Sequence, residues 1–238
     1  MRPRLIVSDL DGTLLDPDGF LSAESLVAVG ELGSRGIDFI LATGRTYYES
    51  KFALERIPCA REMIGAAGAL LTDVTNGGTI ARAVLHPDLI ARVIRMILSE
   101  GHLPQLLQDR MHSVHDYLLV GDAELHPTMD WWVNEHELRT DRVGAVEEID
   151  LAHTVRIGVV GGPGELDGLT ARIEAAFGDE LVVRHWAAVS ETPEQSTYLL
   201  ELFGKGVDKW TMIEHVMRRD GLRAEEVAVI GDGLAPHS

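Results

Sequence analysis

One cysteine, Cys59, is all that the 238 residues contain, so no internal disulfide can form, and a reduced compartment with an inert small thiol suits the chain. Basic residues are scarce as well. Lys and Arg number 21 against 38 Asp and Glu, for a formal net charge of −17. That excess repels nucleic acid and anionic membrane surfaces, and the few cations are scattered rather than gathered into a patch. No apolar run approaches the roughly 18 to 20 residues that a membrane helix needs. No basic-then-apolar leader precedes Leu5, and neither an internal repeat nor a low-complexity segment is present. These absences predict a cytoplasmic protein with no nucleic-acid partner and no membrane partner, either a monomer or a homodimer.

What is present is apolar material in a regular order. Hydrophobic residues make up 45% of the chain, enough for one generous core or two unequal ones. A β-branched run, "LIVSD", leads through a loop to "SAESLVAVGELGSRG", where Leu26, Val29 and Leu32 recur at helical spacing, Ser22 is placed to cap and Gly36 to stop. "IDFILAT" is a second apolar strand, and a helix is predicted around "TYYESKFALERI". "MIGAAGALLTDVTNGGTIARAVL" reads as two strands joined at Asn76-Gly77, a strong hairpin signal. The pattern then changes: an amphipathic helix over 87–101, mixed short elements with Trp131 and Trp132, and the strand "VRIGVVGG". Strand and helix resume with "TYLLEL", "VDKWTMIEHVMRRDG" and "EEVAVIGDG". The fold class is therefore α/β, a Rossmann-like parallel sheet core interrupted by an α+β insertion of about a hundred residues, the size of a small domain. The boundaries are set at 1–84 for the first part of the core, 85–192 for the insertion and 193–238 for the second part.

Three apolar strands deliver polar residues to one sheet edge: Asp9 and Asp11, then Thr43 in "ATGR", then Asp232 in "IGD". Ligands of open α/β sheets bind outside the carboxyl ends of the strands. Like charges held close are costly unless a cation neutralises them, and an oxygen-only donor set of Asp9, Asp11 and Asp232 points to a hard ion, Mg²⁺ above others when a phosphate shares the site. For any one of these aspartates alone, a loop or helix cap is an equal reading; three coincident strand ends are not.

"DLDGTLLD", "ILATGR", "GVDK" and "IGDG", in this order, resemble the four motifs of the haloacid dehalogenase superfamily of phosphatases, in its Cof-type, sugar-phosphatase-like branch with a large cap domain inserted in the core. The resemblance implies a Mg²⁺-dependent phosphatase for a small phosphorylated metabolite. It implies Asp9 as the nucleophile that forms an aspartyl phosphate, and Asp11 as the acid and then the base. Thr43 and Lys209 would hold the phosphoryl oxygens, with Gly44 and Arg45 beside the substrate, and Mg²⁺ would lie between the phosphate, Asp9, the Asp11 carbonyl and Asp232. A cap of this kind would enclose the substrate.

Other residues compete less well. Lys205 reads as a solvated loop charge beside Lys209, and Trp210 stands where glycine is common, which predicts a crowded helix entry. His112 and His115 have a spacing that could place both on one helix face; they read as surface or substrate-facing groups rather than metal ligands. Trp131 and Trp132 could line a sugar site or divide between core and surface. "GGPGE" lacks the phosphate-loop pattern and reads as a turn. Ala67 stands where the resemblance implies asparagine. Ala235 and Pro236 replace an asparagine and a second acidic residue, and a further strand is missing. This predicts a truncated or frameshifted phosphatase of weakened metal site, with an apolar edge strand. Two alternatives stay open: a phosphotransferase or mutase on the same scaffold, or a non-catalytic relative that binds phosphometabolites.

Overall fold

The computed structural model describes residues 2–16, 19–187 and 196–231. Two compact units divide it: Arg82–Val207 is one, and the flanking segments together form the other.

The first unit carries a six-stranded sheet. Its strands are β1 (Leu5–Ser8), β2 (Asp38–Ala42), β3 (Ala60–Gly65), β4 (Leu70–Asp73), β5 (Gly78–Arg82) and β12 (Val227–Ile230), in the spatial order β12-β1-β2-β3-β4-β5. The pairs β12/β1, β1/β2 and β2/β3 are parallel, and β3/β4 is antiparallel. The strands read as unbroken apolar runs because both faces are covered. Phe39 and Leu41 point to one face, where Val29 of helix α1 (Ala23–Ser34) and Leu54 of the short helix α2 (Lys51–Leu54) pack. Ile40 and Ala42 point to the other, beside Ile213 and Val216 of helix α6 (Lys209–Asp220). Each of the Val, Leu, Ile and Phe side chains among these contributes on the order of 1.5–3 kcal/mol by leaving water. Ser22 caps α1 by accepting from the Ser25 N–H at 3.0 Å, and Gly36 takes the left-handed φ of +65° that ends it. Cys59 lies against α1, its thiol 3.4 Å from the Val29 carbonyl, and burial pushes its pKa up, as befits an inert thiol.

The second unit carries its own six-stranded sheet. The strands are β6 (Gln105–Gln108), β7 (Tyr117–Val120), β8 (Thr140–Val143), β9 (Thr154–Gly161), β10 (Leu181–Ala187) and β11 (Tyr198–Gly204), in the spatial order β10-β11-β9-β6-β7-β8. Helices α3 (Pro87–Ser99) and α5 (Asp167–Phe177) cover one face, packing Ile90, Ile94 and Ile173 against Leu106, Ile157 and Leu200. Helix α4 (Pro127–Glu135) completes the unit.

Four expectations need correction. The "TYLLEL" strand, β11, pairs with β9 and β10 in the second sheet rather than rejoining the first, so the chain returns to the first unit at Asp208 and not at residue 193. The helix over 46–57 shrinks to one 3-10 turn, Tyr48–Ser50, and the four residues of α2. The hairpin at Asn76-Gly77 forms, but its first arm is two strands, β3 and β4, reversed through a 3-10 turn at Ala66–Gly68. His112 and His115 lie in the irregular stretch between β6 and β7, not on a helix. Among the described residues β12 is the end strand, and Val229 and Ile230 are exposed on it.

Candidate active site

The first-unit sheet brings Asp9, Asp11 and Thr43 to the carboxyl ends of β1 and β2, where Arg45 and Lys209 of α6 meet the two carboxylates. Asp9 follows β1 directly; its N–H donates to the Ile230 carbonyl at 2.9 Å, which continues the β1/β12 pairing by one residue. The Leu10 N–H donates to Asp9 Oδ1 at 2.7 Å. The chain then turns through Gly12, at φ +70°, so Asp11 leaves the strand on a tight bend two residues on.

Each carboxylate meets its own cation. Lys209 opens α6, whose N-terminus is capped by Asp208 accepting from the Thr211 N–H at 2.6 Å. Its ammonium donates to Asp9 Oδ2. Arg45 donates from Nε at 3.0 Å and from Nη2 at 2.6 Å to opposite oxygens of Asp11, a forked contact that fixes the carboxylate plane as well as its charge. Thr43, fully buried just after β2, joins the Asp11–Arg45 pair. Its hydroxyl is 3.5 Å from Asp11 Oδ2 and accepts from the Arg45 N–H at 3.2 Å. The Arg45 guanidinium sits 5.6 Å from the centre of the Phe52 ring. Its side chain is 13% exposed while that of Asp11 is 43% exposed, so the cation is seated and the carboxylate faces solvent.

Sequence reasoning placed Arg45 beside the substrate; the structure places it on Asp11. Gly44 provides the bend between Thr43 and Arg45, and a Cβ at that position would meet nothing within 4 Å. Lys205 lies in the other unit, exposed, reaching the Gly178 carbonyl at 3.4 Å. Trp210 does not crowd the helix entry: it is turned outward, its indole donating to Glu214 Oε1 at 3.0 Å. Trp131 and Trp132 are both half-buried on α4, ring centres 5.8 Å apart. Asp232, Ala235 and Pro236 lie outside the described residues.

Four charged side chains, two of each sign, leave the cluster neutral. A phosphate monoester dianion brought there would add two uncompensated negative charges, which a divalent ion would balance. Asp9 and Asp11 supply oxygen donors only, the kind Mg²⁺ prefers and in the number it commonly takes from protein alongside phosphate. The residues therefore fit the ion, although among the described residues no three His, Cys, Asp or Glu side chains converge on one point. No helix among those residues is long and apolar enough to cross a membrane.

A family profile described as haloacid dehalogenase-like hydrolase matches residues 6–235. The 5-amino-6-(5-phospho-D-ribitylamino)uracil phosphatase YcsE of Bacillus subtilis is 32% identical over 87 residues, covering 37% of this chain and 34% of that protein. YitU, of the same name and organism, is 21% identical over 238 residues, covering 97% of this chain and 80% of that one. Among solved structures, a haloacid dehalogenase-like hydrolase from Bacteroides thetaiotaomicron superposes with a TM-score of 0.77 at 19% identity, over 98% of this chain and 82% of the other.

Proposed function

The chain belongs to the haloacid dehalogenase-like hydrolases, and on that premise we propose that it is a phosphatase that hydrolyses a small, sugar-phosphate-like metabolite through an aspartyl phosphate on Asp9. One observation carries the reading: two carboxylates on a single bend after β1 stand in unlike surroundings, Asp9 answered by a lysine and Asp11 by a forked arginine. Paired carboxylates with different partners suit different roles in one reaction.

In the first step an oxygen of Asp9 attacks phosphorus, and the bond to the leaving oxygen breaks as the new ester bond forms. Asp11 gives its proton to that leaving oxygen. In the second step Asp11, now a carboxylate, takes a proton from water as the water oxygen attacks phosphorus, and Asp9 is released. Lys209 and the Thr43 hydroxyl face the phosphoryl oxygens, where charge spreads during transfer. Arg45 grips Asp11 and can also bind a phosphate; a guanidinium shared with the phosphate leaves Asp11 able to carry a proton. Asp9 and Asp11, with Asp232, would hold Mg²⁺, which when bound neutralises phosphate charge.

The reading is supported by the family, by curated relatives named as phosphatases and by the site's charge balance. It is tested by hydrolysis of p-nitrophenyl phosphate with and without Mg²⁺, for this chain beside Asp9→Asn. Turnover that needs Mg²⁺ and vanishes in the variant is the expected result. A folded protein whose turnover survives the substitution would refute it.

A further inference from the structure

The reversal between β3 and β4 touches both cation-bearing segments of the site through backbone alone. Ala66 donates its N–H to the Arg45 carbonyl at 2.9 Å, and Ala67 donates to the Thr43 carbonyl at 3.0 Å. A glycine bounds each end. A Cβ on Gly65 would stand 2.9 Å from the Arg45 carbonyl oxygen; one on Gly68 would stand 2.1 Å from the Asp208 carbonyl oxygen and 2.8 Å from the Lys209 nitrogen. Side chains cannot approach backbone so closely, so at both places only glycine lets the segments meet.

The backbone of the turn is unusual in the same place. Ala66, Ala67 and Gly68 take φ of +46°, +55° and +106° in succession, and the first two are residues that seldom enter this region. Ala66 and Ala67 are both buried. Strain of this kind persists where surrounding contacts over-determine the chain. Here those contacts run to the two segments that carry the site's cations.

We propose that the Gly65–Gly68 turn is the gauge that sets both cations: Gly65 is a positioning residue for Arg45 on Asp11, and Gly68 is a positioning residue for Lys209 on Asp9. The catalytic consequence rests on the phosphatase reading; the positioning itself does not. Gly68 acts by letting the N-terminus of α6 dock against the turn, so that the Lys209 side chain starts within reach of Asp9. Gly65 acts by letting the Thr43–Arg45 segment lie flat on the end of β3.

The test uses the full chain, whose three lysines, Lys51, Lys205 and Lys209, give three side-chain ammonium signals after lysine-selective isotope labelling. In the unaltered protein the Lys209 signal, assigned by its loss in Lys209→Arg, should stand apart from the other two and move toward them in Asp9→Asn. Gly68→Ala should move it the same way while melting stays cooperative, and Gly65→Ala should leave it in place but shift the Arg45 Nε–H signal. A folded Gly68→Ala protein whose Lys209 signal keeps its original position overturns the proposal. If Gly68→Ala does not fold, Gly65→Ala decides: an unmoved Arg45 signal overturns the proposal, and a moved one with Lys209 unchanged supports it. These signals report whether or not the protein hydrolyses phosphate, so a failure of the phosphatase reading appears separately as absent turnover. Where turnover is present, Gly68→Ala should lower kcat about as far as Lys209→Ala, on the order of 10²–10³-fold. The double variant should be no slower than Lys209→Ala alone; a further, additive loss would contradict action through Lys209.

Discussion

Two carboxylate–cation arrangements, one in each unit of this protein, are built in opposite ways. In the second unit Arg156 of β9 and Glu201 of β11 form an ion pair whose side chains are 8% and 4% exposed. Both partners are engaged further: Arg156 Nη2 donates to the Tyr117 hydroxyl and the Trp186 indole donates to Glu201 Oε2 at 2.9 Å. A buried pair closed on itself in this way offers little to a ligand, and it sits across the strands of a sheet, which fix it. In the first unit the pairs sit on bends beyond strand ends, and Asp11 is 43% exposed. Chemically the groups are alike. What separates these two arrangements is whether water can reach the carboxylate.

That contrast can be broken or sharpened by substitution. Glu201→Ala takes the carboxylate from a buried guanidinium, and the expected cost is about 3–5 kcal/mol of unfolding free energy, read by urea denaturation, with kcat of the folded fraction unchanged within about 3-fold. A fall in kcat without loss of stability would make Glu201 part of the chemistry and erase the contrast. Lys209→Ala should do the reverse: kcat lower by about 10²–10³-fold, with the unfolding free energy altered by no more than about 1 kcal/mol. The smallest effect concerns a surface pair. Arg219 bonds both Asp220 and Glu62, and the Arg219 hydrogen bond holds the Asp220 carboxyl below its usual range. A carboxyl lowered on folding contributes stability that is present above its unfolded pKa, near 4, and lost as pH falls through the folded value. Because the pair is largely solvated, Arg219→Ala should cost no more than about 1 kcal/mol at pH 7. The difference from the unaltered protein should vanish in acid; a difference that grows with acidity would reverse the assigned sign.

Much of this arrangement was legible in the sequence, and the exceptions have physical causes. The strands ending at Asp9 and Thr43 were readable because apolar runs with polar ends are local signals, and the helix opening at Lys209 because "GVDK" resembles a family motif. The sheet to which "TYLLEL" belongs was not, since a strand buried on both faces reads alike in either unit, and only its antiparallel pairing with β9 and β10 decides. The turn at Ala66–Gly68 was hidden because left-handed backbone is normally announced by glycine or asparagine, and two of its three residues are alanines. The grip of Arg45 on Asp11 joins residues 34 apart, a contact that only folding creates. The helix after Thr46 was overextended because 3-10 and α turns share the same apolar spacing over so few residues.

The central claim is that the first unit's site is chemically active through Asp9. Acid-quenched turnover of p-nitrophenyl phosphate, followed by borohydride reduction and peptide mass analysis, tests it most directly, because an acyl phosphate is reduced to an alcohol while a free carboxylate is not. The account predicts homoserine at position 9 and at no other aspartate. Steady hydrolysis with position 9 recovered only as aspartate would contradict it.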